Sequence, residues 1–204
     1  MRPRFLSAII AAIAWVGLSV QFAATFASLG SVVATLWAML LYFTIIANIA
    51  VAIVFTAAAS GHARLASPFV LAGVTITMLL VGIVYNTLLQ GLVELSGGAL
   101  LANLLNHIVT PITVSLFWLF IAKKGHLAWR NPFQWALLPL LYFAYGIARG
   151  EAEGKYPYPF MNLARLGWSQ TLFNALALAI CFLAVGFGMV WLDRLFARKV
   201  SAPD

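Results

Sequence analysis

Long apolar stretches dominate this chain, and they restrict it to very few folds. Six of them are close to the ~20 helical residues that cross a bilayer core of about 30 Å. They cover approximately residues 5–27, 32–58, 68–93, 99–122, 132–148 and 168–195. Because backbone polar groups must be satisfied inside hydrocarbon, such stretches span membranes as helices. We therefore expect an all-α protein, a six-helix transmembrane bundle that forms one integral membrane domain over residues 1–204.

The basic residues predict an orientation and argue against nucleic acid as a partner. Only 8% of the residues are charged, and the formal net charge is +7. Lysines and arginines lie in short clusters beside apolar stretches, as topology signals do, and form no stripe that could follow nucleic acid. Because these clusters alternate with links poor in charge, we expect both termini in the cytoplasm. The clusters are Arg2 and Arg4; Arg64; Lys123, Lys124 and Arg130; and Arg194, Arg198 and Lys199.

The first apolar stretch has an alternative interpretation as a secretory signal peptide. Arginines precede it, and Thr25-Phe26-Ala27 ends in a small residue. Its apolar run, however, is longer than the about 7–15 residues of a signal h-region, and losing it would disturb the charge pattern. A first transmembrane helix is therefore the preferred prediction.

One histidine lies inside the fourth apolar stretch. An ionisable side chain at the depth of His107 indicates a functional site by default, because burying it in hydrocarbon is costly. Asn103 shares its helical face, and Asn106 is displaced by roughly 100°. Pro111 lacks a backbone donor and clashes with the carbonyl of His107, four residues earlier, so a kink there would free a carbonyl beside the imidazole. A satisfied packing histidine is an equally frequent alternative.

The second stretch carries a polar pair that could face this histidine. Thr44 and Asn48 lie one helical turn apart. The structural alternative is that Thr44 bonds back to its own helix and that Asn48 joins two helices. Counting inward from Trp37 and from Gly97-Gly98 places Thr44 ~10 Å and His107 ~14 Å inside the membrane. A hydroxyl beside an imidazole is the nucleophile–base pair of covalent acyl transfer.

Further polar residues could complete such a site. In the third stretch Asn86, Gln90 and Glu94 recur at i, i+4 and i+8 and predict one stripe, with Tyr85 beside it. An asparagine could orient the imidazole or donate to an oxyanion. The asparagine candidates are Asn48, Asn86, Asn103 and Asn106. The sequence contains no zinc-protease motif and no serine-hydrolase motif. It also lacks the two facing membrane histidines that would bind haem and the mid-membrane carboxylates that a carrier usually needs. We expect no metal and no organic cofactor.

The link between the fifth and sixth stretches is basic, although the predicted orientation places it on the outer side of the membrane. X-Pro pairs in its Tyr156-Pro157-Tyr158-Pro159-Phe160 segment favour an extended backbone. An aromatic belt with anchors for lipid phosphates is the plain interpretation. The sharper hypothesis is that Arg149 binds the carboxylate of an amphiphilic substrate, with Tyr85, Tyr156 and Tyr158 contributing to the same site.

Several short motifs along the chain point together to one family of membrane proteins. They are Trp129-Arg130-Asn131-Pro132, Tyr142, Tyr145, Arg149-Gly150, Gly154-Lys155-Tyr156-Pro157-Tyr158-Pro159-Phe160, Phe43-Thr44, Gly82-Ile83-Val84-Tyr85-Asn86 and Asn106-His107 followed by Pro111. In these motifs the chain resembles bacterial members of the androgen-induced protein family, whose animal representatives include the androgen-dependent TFPI-regulating protein. The likeness covers most of the chain, and Tyr-Pro-Tyr-Pro-Phe is its most specific part.

The resemblance implies a multi-pass hydrolase of the bacterial plasma membrane that uses a threonine and a histidine. Animal members cleave the ester bond in fatty-acid esters of hydroxy fatty acids, so the implied partners are membrane lipids or amphiphilic acyl esters. Carried over by position, Thr44 would be the nucleophile and His107 the base. The animal pattern has four residues between histidine and proline and this chain has three, so a strict alignment would place Asn106 at the histidine position. The alternative is a non-enzymatic lipid- or ligand-binding membrane protein with a structural polar cluster.

Overall fold

The structure, a computed structural model, describes residues 2–200, and all the regular elements in that part of the chain are helical. The side chains of Arg2, Arg198 and Lys199, which entered the orientation argument, lie outside the described part. The α-helices are α1 (Arg2–Leu29), α2 (Val32–Met39), α3 (Phe43–Ser60), α4 (Pro68–Val84), α5 (Gly97–Leu104), α6 (Thr110–Phe120), α7 (Asn131–Glu153) and α8 (Leu163–Val200). A π-helical turn, Tyr85–Leu89, continues α4, a second, Leu105–Val109, joins α5 to α6, and a 3-10 turn covers Pro159–Met161.

Five helical segments are long and apolar enough to cross a membrane. They are Pro3–Leu29, Phe43–Ser60, Pro68–Leu89, Gly97–Phe120 and Leu163–Ala197. The all-α prediction is therefore confirmed, and these segments are those of a multi-pass membrane protein. Helix α7 corresponds to the predicted fifth span and has 23 residues, but its last turns carry Arg149, Glu151 and Glu153. The count of six spans stays a prediction.

The second apolar stretch is not one continuous helix, so the prediction of a helix over residues 32–58 is wrong. Helix α2 ends at Met39, and α3 begins only after Tyr42, whose backbone is extended at φ −99° and ψ 130°. Turn hydrogen bonds bridge the break, from the Tyr42 N–H to the Met39 carbonyl and from the Ile45 N–H to the Tyr42 carbonyl. As a result Thr44 lies in the first turn of α3, and its depth cannot be counted along a straight helix from Trp37.

The end of the third span also differs from the predicted boundary. The third span ends at Leu89 and not at Val93, because Gln90 turns to an extended backbone after the π-helical turn. The expected stripe from Asn86 to Glu94 is therefore interrupted before Glu94.

In the last third of the chain, helix α7 continues through Arg149 to Glu153, and the following Gly154 adopts a left-handed φ of 68°. The last helix begins earlier than expected, at Leu163, and is interrupted at Gly167, where φ is 70° and ψ is 168°.

The chain packs as two compact units, one up to His126 and one from Leu127 onward. In the first unit α1 packs against α3 and α5, and α4 packs against α3 and α6. Its core includes Phe55, which is fully buried and meets Phe117 edge to face at 5.1 Å between ring centroids. In the second unit α7 packs against α8, and the Leu127 N–H donates to the buried carboxylate of Asp193 at 2.9 Å.

Helix α1 comes unusually close to the π-helical turn of the fourth span at Gly17. A Cβ atom on Gly17 would lie 2.5 Å from Oδ1 of Asn106 and 3.2 Å from Cβ of Leu105. Nδ2 of Asn106 donates to the Gly17 carbonyl at 3.3 Å. Small residues permit such backbone approach between membrane helices, so Gly17 is required by packing.

Replacing Gly17 should loosen this contact. We expect Gly17→Ala to lower the free energy of unfolding by about 1–3 kcal/mol, because the added methyl group must displace the Asn106 side chain. Gly188→Ala is the matched control, since a Cβ there meets nothing within 4 Å, and alanine is the better helix former. Denaturant unfolding of both variants in detergent micelles would measure the difference. Equal stability of the two variants would contradict the close approach.

Candidate active site

The structure brings the side chains of Thr44 and His107 into hydrogen-bond contact. Oγ1 of Thr44 lies 3.1 Å from Nε2 of His107. Thr44 is only 6% exposed, whereas His107 is half-buried. The hydroxyl therefore sits in the interior of the first unit, and the imidazole lies between it and the surface of that unit.

The Thr44 hydroxyl is directed across the helices because its own helix offers it no carbonyl. The hydroxyls of Thr25, Thr56 and Thr75 all donate to the carbonyl four residues earlier, at 2.6 to 2.9 Å, which satisfies them locally. For Thr44 that carbonyl belongs to Leu40, which lies in the break between α2 and α3. The helix break therefore converts an ordinary membrane threonine into one that reaches a neighbouring helix.

The fourth span changes its hydrogen-bond register around His107. The Thr110 N–H bonds to the carbonyl of Leu105, five residues back, and not to that of Asn106. In an α-helix the next bond would run from residue 111 to His107, but Pro111 has no N–H. The sequence predicts a freed carbonyl at His107, which stays a prediction, and in the structure the π-helical turn releases the carbonyl of Asn106. Single π-helical turns of this kind are frequent at functional sites.

The tautomer of His107 follows from its second contact. Nδ1 lies 3.2 Å from the backbone carbonyl of Asn103. A carbonyl can only accept, so Nδ1 must carry the hydrogen of the neutral ring, which leaves Nε2 as an acceptor. Thr44 is then the donor in the Oγ1···Nε2 contact. This is the arrangement that a base needs in order to remove the hydroxyl proton.

Tyr85 and Asn103 complete the surroundings of the imidazole. The Tyr85 ring stacks on His107, with centroids 4.2 Å apart and an angle of 29° between the planes. Nδ2 of Asn103 donates to the Tyr85 hydroxyl at 2.6 Å. Asn103 therefore acts twice, since its carbonyl orients His107 and its amide holds the ring that packs against it.

The other three asparagine candidates have different surroundings. Nδ2 of Asn48 lies 2.8 Å from the Thr44 carbonyl and 3.2 Å from the Asn106 carbonyl. The side chain of Asn106 is directed to Gly17 on α1. Asn86 is exposed, and its amide donates to the carbonyl of Gly82 in its own helix at 2.7 Å. Of the three, Asn48 is therefore bonded to the backbone of Thr44 and of the residue next to His107, whereas the side-chain amides of Asn106 and Asn86 are bonded elsewhere.

The predicted substrate-binding residues of the second unit already have partners within that unit. Nε and Nη2 of Arg149 donate to the two carboxylate oxygens of Glu153 at 2.9 and 3.0 Å, and Nη1 donates to the Tyr145 hydroxyl at 2.9 Å. The guanidinium side chain is 7% exposed. A substrate carboxylate at Arg149 would have to compete with Glu153, and this role stays a prediction.

The two tyrosines of the Tyr-Pro-Tyr-Pro-Phe segment also have partners inside the second unit. The Tyr156 hydroxyl donates to the Glu151 carboxylate, and this hydrogen bond raises the pKa of Tyr156. The Tyr158 ring stacks on Phe160, with centroids 5.1 Å apart, and lies 6.3 Å from Tyr142. These contacts order the segment, and its role in substrate binding stays a prediction.

No protein-family model, curated protein or solved structure matches the chain. The structure is that of an all-helical, multi-pass membrane protein with a threonine–histidine pair at a helix break and a π-helical turn. Within residues 2–200 no group of three or more His, Cys, Asp or Glu side chains is placed to hold a metal ion. The groups at the pair are a hydroxyl, an imidazole and neutral hydrogen-bond donors.

The His107 tautomer can be measured directly. In protein labelled with ¹⁵N-histidine at pH 8, we expect a protonated Nδ1 and an unprotonated Nε2 for His107, because the Asn103 carbonyl requires a donor. His62→Gln and His126→Gln variants would assign the resonances. A ring protonated at Nε2 would show that Thr44 does not donate to it.

Proposed function

We propose that this protein is an intramembrane hydrolase of lipid esters, with Thr44 as nucleophile and His107 as base. The observation that supports it most is the 3.1 Å contact between the Thr44 hydroxyl and the acceptor nitrogen of His107. A nucleophile, a base in hydrogen-bond reach and a third group that orients the base form the arrangement on which covalent acyl transfer relies. Here the orienting group is the Asn103 backbone carbonyl.

The reaction would proceed in two halves. Nε2 of His107 takes the hydroxyl proton while Oγ1 of Thr44 attacks the ester carbonyl carbon. The tetrahedral oxyanion then collapses, the ester C–O bond breaks, and the leaving alcohol receives the proton from Nε2. A water molecule, deprotonated by the same nitrogen, attacks the acyl-threonine and releases the fatty acid, which restores the threonine hydroxyl.

Two donors beside the imidazole could stabilise the oxyanion. The amide of Asn103 uses one hydrogen on Tyr85 and has a second. The Tyr85 oxygen accepts that bond, so its own O–H hydrogen points elsewhere. Preorganised donors of this kind stabilise developing negative charge most strongly where water is excluded. We assign the oxyanion to Tyr85 and Asn103 in preference to Asn86, which is bonded within its own helix.

The proposed substrates are membrane lipids or amphiphilic acyl esters, with a fatty acid on the acyl side. Both reacting side chains lie in apolar segments, Phe43–Ser60 and Gly97–Phe120, that are long enough to cross a membrane. A substrate with long acyl chains partitions into that environment. The resemblance to the androgen-induced protein family supports the same substrate class, since its animal members cleave fatty-acid esters of hydroxy fatty acids. A non-enzymatic lipid-binding protein is the alternative, and it would need no hydroxyl–imidazole contact.

Single substitutions of the pair test the proposal. Thr44→Ala and His107→Ala should each lower ester hydrolysis by at least about 10²–10⁴-fold, the usual contribution of a general base, and Thr44→Ala should also abolish labelling by a fluorophosphonate probe. Thr44→Ser should keep part of the activity because it retains the hydroxyl. The measurement is hydrolysis of fluorogenic acyl esters and of branched fatty-acid esters by purified protein in micelles.

Matched controls separate chemistry from folding. Thr75→Ala removes a buried threonine whose hydroxyl bonds only within its helix, and His126→Ala removes an exposed histidine. Both should retain wild-type activity. Hydrolysis that survives in folded Thr44→Ala and His107→Ala would eliminate this mechanism and favour the lipid-binding alternative.

We further propose six spans with both termini in the cytoplasm, in a bacterial plasma membrane. The topology can be tested by thiol labelling in a Cys181→Ser background, since Cys181 is the single cysteine. An impermeant maleimide added to intact cells should label Glu94→Cys and not His62→Cys. Labelling of His62→Cys without permeabilisation would reverse the assignment.

A further inference from the structure

Asn48 lies fully buried between α3 and the π-helical turn of the fourth span. Its Nδ2 is 2.8 Å from the Thr44 carbonyl and 3.2 Å from the Asn106 carbonyl. Both partners are carbonyls, which can only accept, so the amide nitrogen donates one of its two hydrogens to each. With both hydrogens engaged, Asn48 has none left for a developing oxyanion. The sequence suggests two roles for Asn48, orienting and oxyanion binding. These contacts are compatible with the orienting role.

We propose that Asn48 is a positioning residue that holds the Thr44 hydroxyl at Nε2 of His107. It connects the carbonyl of the residue that carries the hydroxyl with the carbonyl of Asn106, the residue next to His107. The two reacting side chains are therefore tied through their backbones and do not depend on their own 3.1 Å contact alone. The catalytic consequence rests on the proposed hydrolase function, whereas the geometric consequence does not.

The acceptor for this link exists because of the register change in the fourth span. Were residues 105–109 α-helical, the Asn106 carbonyl would take the Thr110 N–H, and that N–H instead bonds to Leu105. Asn106 in turn donates its side-chain amide to the Gly17 carbonyl. A series of hydrogen bonds thus runs from α1 through the π-helical turn to the start of α3, and Asn48 is its last member.

The remaining polar atom of Asn48 argues against a purely stabilising role. Within the described part of the chain, its buried Oδ1 has no hydrogen-bond partner. A buried acceptor without a partner is unfavourable to folding, and an apolar residue of the same shape would avoid that cost but would leave the Asn106 carbonyl without its donor. The contribution of Asn48 to stability is therefore divided between a favourable nitrogen and an unfavourable oxygen. The position of the Thr44 hydroxyl and the activity are the more informative readouts when Asn48 is replaced.

Three variants test this proposal. Asn48→Leu removes both hydrogen bonds at similar volume. Asn48→Ser keeps a donor that can reach the Thr44 carbonyl one turn back but is too short for Asn106. Thr75→Val is the matched control, because it removes a buried hydroxyl bonded only to Leu71 in its own helix. The readouts are the ¹⁵N resonance of His107 Nε2, with Thr44→Val as the reference for a lost contact, and kcat and KM for ester hydrolysis.

We expect the Nε2 resonance of Asn48→Leu to shift toward that of Thr44→Val, with Asn48→Ser between them and Thr75→Val unchanged. We expect kcat to fall by about 10- to 100-fold in Asn48→Leu, the scale of a misplacement near 1 Å, while KM stays within about twofold. A merely structural residue would lower stability and leave both the resonance and kcat per folded molecule unchanged.

The outcomes separate this inference from the hydrolase proposal. A folded Asn48→Leu with a wild-type Nε2 resonance would overturn the positioning role, whatever the activity. If Asn48→Leu does not fold, the same comparison is made with Asn48→Ser, and its wild-type resonance would overturn the role equally. If the Nε2 resonance shifts in Asn48→Leu while the wild-type protein shows no esterase activity, the positioning role is supported and the hydrolase proposal is rejected.

Discussion

The hydrogen-bond register of one helix determines the rest of this site. Pro111 cannot supply an N–H, and the Thr110 N–H reaches back five residues to Leu105, so the Asn106 carbonyl has no partner within its own helix. In hydrocarbon such groups must find donors elsewhere. The Asn106 carbonyl finds one in Asn48 on α3. The irregular turn is therefore stable only together with the neighbouring helix, and that dependence brings His107 to the start of α3.

The second irregularity complements the first. A break between α2 and α3 deprives the Thr44 hydroxyl of the carbonyl that satisfies other threonines of the chain within their own helices. One helix thus contributes a hydroxyl without a local acceptor, and the other contributes an imidazole whose Nε2 is an acceptor because Nδ1 is committed to Asn103. The Thr44 hydroxyl therefore needs an acceptor, and Nε2 of His107 needs a donor. The contact between them satisfies both groups in an apolar environment.

Part of this arrangement could be predicted from the sequence and part could not. The apolar stretches gave the all-helical architecture, and the proline four residues after His107 indicated a disturbed backbone at that point. The break after Met39 carried no signal, because residues 32–58 contain neither glycine nor proline. Local propensity therefore does not predict it. The ion pair between Arg149 and Glu153 could be predicted from the sequence, since Glu153 lies at i+4 on the same helix. That pair argues against a guanidinium held ready for a substrate carboxylate.

The π-helical turn also constrains how this segment can change in length. A turn closed over five residues accommodates one residue more than a regular turn, so deleting a single residue between positions 105 and 109 would restore the regular register. The helical segments on either side would keep their relative orientation, but deletion of Leu105 or Asn106 would place His107 three residues after Asn103 instead of four, away from the carbonyl that now contacts Nδ1. Loops tolerate such indels, but this span would not.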